Sequence, residues 1–305
     1  MQAIVATFFN PILPVFAIML VGLFFGRRGF FDNASAHAIN RFVFYVAVPA
    51  LLFSLLSDAA FRQVDWRLLA LYFLSEMILF AVGAALARLM FKRDWGEALL
   101  IGMASCFVNH VFFVLPIAQF LYGDQAAIPI TAVIVVDTTV IFAGTIIGLE
   151  IASHRDEPLW KVGRFFVRNP VLVAIALGLA VNMLGLEMPA GIRTFCTFTG
   201  SAAAPAALFS LGVILAGAGG RGWDGMAVVT TGLKVVLHPL VAWLLFQGLT
   251  GVDRIGGEAT LLIAAGPCGA MPFVLALQYQ IASASIGRAI VYSTIASLFT
   301  LAVLA

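Results

Sequence analysis

Long apolar runs alternate with short polar breaks along the whole chain. Reading the runs between breaks predicts ten helical segments, at about 5–25, 36–56, 67–90, 97–121, 127–149, 169–186, 193–216, 226–249, 258–281 and 287–305. Each is close to or above the roughly 20 residues that a helix needs to cross a bilayer. The breaks are compact, as at Arg27-Arg28-Gly29, Lys92-Arg93-Asp94 and Gly219-Gly220-Arg221-Gly222. The longest, around His154 to Arg168, divides the chain into a first five-helix half (1–150), a connecting loop (151–168) and a second five-helix half (169–305).

The two halves echo each other. Val48-Pro-Ala-Leu-Leu-Phe-Ser-Leu55 returns as Ala204-Pro-Ala-Ala-Leu-Phe-Ser-Leu211, 156 residues later. Asn10-Pro11 returns as Asn169-Pro170, Phe113-Val-Leu115 as Phe273-Val-Leu275, and Gly96-Glu-Ala98 as Gly257-Glu-Ala259, at offsets of 159, 160 and 161. Four matches in one order at nearly constant spacing indicate a duplicated half. Five spans per half is an odd number, so the second copy enters the membrane from the opposite face. The repeats are therefore expected to be inverted, the arrangement that gives a carrier two pseudo-equivalent states.

Composition narrows the class. The chain is 62% hydrophobic and 10% charged, with a mean hydropathy of +1.06. A soluble domain carries about 25% charged residues, so an all-α membrane protein is the expected fold class. The net charge of +2 implies no nucleic-acid partner, and the three cysteines, Cys106, Cys196 and Cys268, have no metal or redox spacing. No cofactor is expected. The first apolar run lacks a basic leader and is followed by Arg27-Arg28, the reverse of a signal peptide's charge order, so it should stay as a spanning helix.

Basic residues orient the spans. Twelve fall on the side of the central loop: Arg27, Arg28, Arg41, Arg88, Lys92, Arg93, Arg155, Lys161, Arg164, Arg168, Arg221 and Arg288. Four fall on the other, namely Arg62, Arg67, Arg193 and Arg254. The central loop should then be cytoplasmic and both termini should face outward, in a cytoplasmic (inner) membrane.

The expected chemistry lies where helices are interrupted at matching places in the two halves. Span four carries Cys106-Phe-Val-Asn109-His110 and then Pro116; span nine carries Gly266-Pro267-Cys268-Gly269-Ala270-Met271-Pro272 and ends near Gln278-Tyr279. Proline deletes a helical hydrogen bond and crowds the preceding turn. Freed backbone groups are tolerated at membrane depth only inside protein or against a wet cavity. Half-helix N-termini there would offer their positive dipole ends to an anion. Asn109 can donate and accept toward a carboxylate, while His110 either does the same, titrates, or is held by a neighbouring helix. Pro116, Pro267, Pro272, Gln278 and Tyr279 complete the substrate-site candidates. A second proline at Pro272 is expected to lengthen or displace the break in span nine.

Ionisable residues inside spans are costly, roughly 2.5–3.5 kcal/mol each for a central Lys, Arg or Asp, and so are candidates for function. Glu76, Asp137 and Lys234 lie in the middle of spans three, five and eight. Asp137 has Thr131, Thr138 and Thr139 nearby in sequence, and Glu76 and Lys234 stand 158 residues apart in repeat-equivalent places, which raises the prospect of an ion pair between the halves. These three are the ion-coupling candidates, for a proton or sodium, with structural hydrogen bonding as the alternative. His238 beside Pro239 reads as structural.

With these residues in view, the chain resembles the auxin efflux carrier family, whose bacterial members are small ten-helix carriers. The resemblance spans essentially the whole chain. It rests on Asn10-Pro-Ile-Leu-Pro14 with Gly22, on Asn40 through Pro49, and on Asn109, Phe112, Leu115 and Pro116 in the pattern Asn-x-x-Phe-x-x-Leu-Pro. Lys234 with Pro239, and Pro267 with Ala276 and Tyr279, resemble its span-eight and span-nine motifs. The resemblance implies a fold like that of bile acid/sodium symporters, with spans four and nine as broken helices crossing at the substrate site. It also implies a scaffold and homodimer interface from spans one, two, six and seven, and a moving domain from the rest. Asn109 carries over as the substrate contact, and Glu76 is matched by its span alone. His110 and Val111 depart from the small residues usual after the asparagine.

The resulting expectation is a secondary carrier of a small organic carboxylate, malonate- or malate-like or auxin-like. A channel or receptor is the alternative, although no selectivity-filter pattern is present. An enzyme is less favoured, since Gly-x-Ser-x-Gly, His-Glu-x-x-His and paired intramembrane aspartates are missing from the sequence. No Gly-x-x-x-x-Gly-Lys-Ser/Thr loop occurs, so gradients rather than ATP hydrolysis by this chain would drive transport.

Overall fold

A computed structural model describes residues 2–59, 64–153, 168–217, 224–248 and 254–304. The regular structure of these residues is entirely helical. In chain order the helices are α1 (Gln2–Arg27), α2 (Asn33–Ser57), α3 (Trp66–Leu89), α4 (Trp95–Cys106), α5 (Leu115–Tyr122), α6 (Ile128–Ser153), α7 (Pro170–Met183), α8 (Ala190–Gly217), α9 (Gly225–Phe246), α10 (Arg254–Ala265), α11 (Met271–Gln278) and α12 (Ala284–Leu304). Among the described residues, six helices are long and apolar enough to cross a membrane: α2, α3, α6, α8, α9 and α12. The runs expected as the interrupted spans four and nine are each two short helices, α4 with α5 and α10 with α11. Nearly all of the expected connecting loop, along with Gly219 to Gly222, lies outside the described residues.

Helix starts follow from short acceptor side chains. Asp32, Asp65, Asp94, Asn169 and Asp224 each accept a backbone N–H from the first turn of the helix that follows. At Asp32, bonds from the Ser35 amide and hydroxyl hold the carboxyl below its ordinary range.

Prolines inside helices are absorbed by widened turns. Val43–Ala47, His110–Val114 and Leu233–Leu237 are π-helical, and each is followed by a residue and then a proline: Val48-Pro49, Leu115-Pro116 and His238-Pro239. The residue before each proline donates to the carbonyl five back. The extra residue in the turn relieves the clash between the ring and the carbonyl four back. A fourth π turn, Asp137–Phe142, has no proline. There the hydroxyls of Thr138 and Thr139 bond the carbonyls of Ile134 and Val135, competing with the helical ladder.

The core sits where α2, α3, α4, α6, α8 and α11 meet, around Phe44, Leu79, Met103, Phe142, Leu211 and Phe273. A second apolar cluster joins α3, α5, α6 and α10. Helices α1 and α8 pack with their backbones almost touching. A Cβ on Gly22 would strike the carbonyl of Phe209, and one on Gly212 would strike that of Met19. Asn40 of α2 donates to the carbonyl of Val274 in α11 at 3.0 Å, and Gln278 of α11 donates to the Tyr45 hydroxyl of α2 at 2.9 Å.

Candidate functional site

The two interrupted segments cross and pair through their backbones. Val108 and Cys268 form an isolated antiparallel bridge. The Asn109 amide donates to the Pro267 carbonyl at 3.0 Å, and the Gly269 amide donates to the Phe107 carbonyl at 3.0 Å. Each break thus satisfies the other's freed groups, which is how unwound backbone survives at this depth. The contact needs a glycine, because a Cβ at Gly269 would lie 2.8 Å from the Val108 carbonyl oxygen. The Cys268 amide is held by Ser293 of α12 at 3.0 Å.

Past the crossing, each chain resumes as helix. Asn109 stands in the N-cap place ahead of His110. On the other chain Ala270 caps α11, with Pro272 within its first turn. Pro272 does not lengthen the break: it sits where the missing N–H is not needed and starts the half-helix. Phe107, Val108, Asn109, His110, Gly269, Ala270 and Met271 line a cavity of about 70 Å³, closed by α2, α6 and α8. Asn109, His110 and Thr138 are its polar side chains; Leu51, Leu55, Phe142 and Leu208 are among its apolar ones. Two helix N-termini meet here: after Asn109 the first helical bond is made by the Val114 amide, whereas after Ala270 Pro272 has no N–H and Phe273 already bonds the Ala270 carbonyl, which leaves the Met271 amide. The space is large enough for a carboxylate-sized group.

Beneath the cavity lies a buried polar cluster. His110 Nε2 stands 2.8 Å from Asp137 Oδ2, an ion-pair distance off the line of a hydrogen bond. Glu76 lies beside Asp137 and Tyr72. Both oxygens of each carboxylate, and the Tyr72 hydroxyl, lack a donor or acceptor in hydrogen-bond geometry. The Lys234 ammonium, fully buried, donates to the Ala264 carbonyl at 2.8 Å and meets His238 Nδ1 at 3.0 Å. His238 Nε2 in turn meets Ser75 Oγ at 3.2 Å. Ala264 is in the last turn of α10, where carbonyls have no helical partner and the dipole is negative, so Lys234 caps that half-helix.

Several sequence candidates fall elsewhere. Lys234 does not bond Glu76 directly as the repeat offset suggested; its nearest acceptors are Ala264 and His238. Thr138 and Thr139 spend their hydrogens on their own helix and give none to Asp137. Gln278 is tied to Tyr45, and Tyr279 donates to Glu150 at 2.7 Å; neither lines the cavity. Pro116 opens α5, and the Pro267 carbonyl serves the crossing. Tyr72 and Ser75 went unnoticed in the sequence, although with Glu76 they share one face of α3 at spacings of three and four residues. Two larger cavities, about 270 and 360 Å³, lie near opposite ends of α3. Their polar residues are largely engaged locally, as Asp65, Thr260, Asp94 and Tyr279 are, so the smaller cavity at the crossing is the better site.

A family profile described as membrane transport protein matches the chain in two segments, residues 7–160 and 154–305. The chain belongs to this family, that of the auxin efflux carriers. Full-length relatives agree. A "Putative malonate transporter" of Rhizobium meliloti is 24% identical over 95% of this chain and 92% of its own. An "Uncharacterized transporter" of Methanothermobacter thermautotrophicus is 28% identical over 96% and 95%. "Auxin efflux carrier component 8" of Arabidopsis thaliana is 22% identical over 94% of each chain. The protein is therefore an integral membrane protein of a transporter family.

Proposed function

We propose that this protein is a secondary carrier that moves a small organic carboxylate across the cytoplasmic membrane by alternating access. The observation that carries the reading is the backbone-paired crossing, which brings Asn109, His110 and two helix N-termini to one buried cavity. Oriented amides, a neutral amide side chain and an imidazole suit a carboxylate and offer little to a cation. The name of the Rhizobium relative favours a malonate-sized acid. Ten membrane segments in two inverted repeats, each with its fourth helix broken, fit both the repeated sequence phrases and the element order. On this reading both termini face outward. The parts held by α1, α2, α7 and α8 serve as scaffold and homodimer surface, where Phe195 and Phe198 present exposed rings. The remaining helices carry the site.

Reconstituted protein should take up labelled malonate saturably, and Asn109→Ala should abolish most of that uptake while leaving the protein folded. Absence of saturable flux for malonate, malate and aromatic acids alike would refute the reading.

A further inference from the structure

Glu76 and Asp137 are fully buried carboxyls lying beside each other, and their four oxygens have no partner in hydrogen-bond geometry, although His110 Nε2 stands 2.8 Å from Asp137 Oδ2. As two carboxylates they would be acceptor facing acceptor, in an interior where each charge strengthens the other's hold on a proton. Leaving four such oxygens unsatisfied is among the most unfavourable arrangements in a folded interior. One proton relieves it, since the protonated carboxyl donates to its neighbour and two of the four oxygens are then engaged.

The charges around the pair lead to the same number. From α3 come Glu76 and the Tyr72 hydroxyl; from α6, Asp137; from α9, Lys234 and His238; from the turn before α5, His110. The thiols of Cys106 and Cys268 flank the group from the two breaks. Two carboxylates against one ammonium leave a single negative charge, and one proton makes the cluster neutral. Lys234 is already held by Ala264 and His238, so it acts as a resident cation and not as an exchangeable one. Among the described residues no set of three acidic, His or Cys side chains converges to hold a metal ion.

His110 links this cluster to the cargo cavity. It is nine-tenths buried or more, touches Asp137 with Nε2, and lines the cavity beside Asn109. We infer that the Glu76–Asp137 pair is a proton-carrying site and that His110 passes its proton to and from the cargo cavity, making the carrier a proton–carboxylate symporter. The O–H bond of Asp137 breaks and an N–H bond forms at His110 Nε2, giving an imidazolium. The other ring N–H then yields a proton to the cavity, and Asp137 remains as a carboxylate. Loading runs the same steps backward.

This inference rests on the carboxylate-carrier reading, and two measurements separate their fates. Infrared spectroscopy of the reconstituted protein at neutral pH, without cargo, should show the carbonyl stretch of a protonated carboxyl, lost in Glu76→Gln/Asp137→Asn. Its absence from the wild type overturns the proton site, whatever the protein transports. Malonate accumulation in liposomes, followed with an internal pH dye, should rise about tenfold per unit of inward acid gradient, since one unit of pH equals one tenfold step for a single coupled proton. Asp137→Asn should exchange malonate across equal concentrations yet lose this dependence, and His110→Gln should slow proton movement more than exchange. Accumulation that follows sodium, or that keeps its pH dependence in Asp137→Asn, overturns the inference while leaving the carrier intact. A carboxyl band without malonate flux supports the site and overturns only the choice of cargo.

Discussion

Lys234 Nζ stands 3.0 Å from His238 Nδ1, one turn away on α9. An ammonium has only donors, so Nδ1 must be the acceptor and the ring proton sits on Nε2, where Ser75 Oγ waits at 3.2 Å. The Ser75 hydroxyl is itself turned to the Tyr72 carbonyl at 2.6 Å, which leaves its oxygen free to accept. A chain of four hydrogen bonds thus runs from the end of α10, through α9, into α3, each with a defined direction.

Lys234→Met should break that chain at its source. The Ala264 carbonyl and His238 Nδ1 would both lose their donor, at about 1–3 kcal/mol for each buried group left unsatisfied. Thermal unfolding in detergent should show a clearly lowered midpoint. An unchanged midpoint would mean that the ammonium is not what holds the end of α10.

Asn109→Ala keeps the backbone bridge, because the bond to Pro267 comes from the main chain. It removes only the side chain that lines the cavity. A lost hydrogen bond to a charged cargo is worth about 1.5–3 kcal/mol, or roughly 10–100-fold in apparent affinity for malonate. Equilibrium binding by thermal shift at graded malonate concentrations measures it.

Gly269→Ala tests the crossing itself. Its new Cβ would meet the Val108 carbonyl oxygen at 2.8 Å and the Phe107 ring at 2.9 Å, so the two breaks must separate. The expected loss is about 1–3 kcal/mol of stability, with transport reduced further and helix content by circular dichroism unchanged.

Asn40→Ala and Gln278→Leu together remove the bonds that fasten α2 to α11. Each is worth about 0.5–1.5 kcal/mol, so separation of these helices should become roughly 5–100-fold easier. A cysteine placed at Met271 should then react faster with a water-soluble thiol reagent than in the parent. Equal rates would show that these bonds do not fasten the cavity wall.

Much of this organisation is legible from residue types. Pro267, Pro116 and the polar Asn109-His110 pair mark the two breaks, because they fall at matching places in the fourth span of each half. Their mutual pairing is not legible: Val108 and Cys268 meet through backbone groups, which leave no side-chain signature. Gln278 and Tyr279 looked like site residues by proximity to the break. Once Pro272 starts α11, however, six or seven further residues at about 1.5 Å rise each carry them some 10 Å away. The widened turns ahead of Pro49, Pro116 and Pro239 also go unseen, since a one-residue change in hydrogen-bond span alters no local preference. Tyr72 and Ser75 were overlooked for a simpler reason. Aromatic and small residues blend into an apolar run unless read on the same face as Glu76.

The reciprocal bonds between Asn109 and Pro267, and between Gly269 and Phe107, bear on the energetics of a transport cycle. Sliding one break past the other would strand four backbone groups away from water, so both must move as one piece. A cargo held between their ends then keeps the same nearest partners on either side of the membrane, and only the walls contributed by α2 and α8 are exchanged. Its intrinsic affinity should differ little between the two faces, and a ligand without such a difference shifts no equilibrium between them. On these terms the protein imposes no direction of its own; the combined gradients of cargo and coupled proton do.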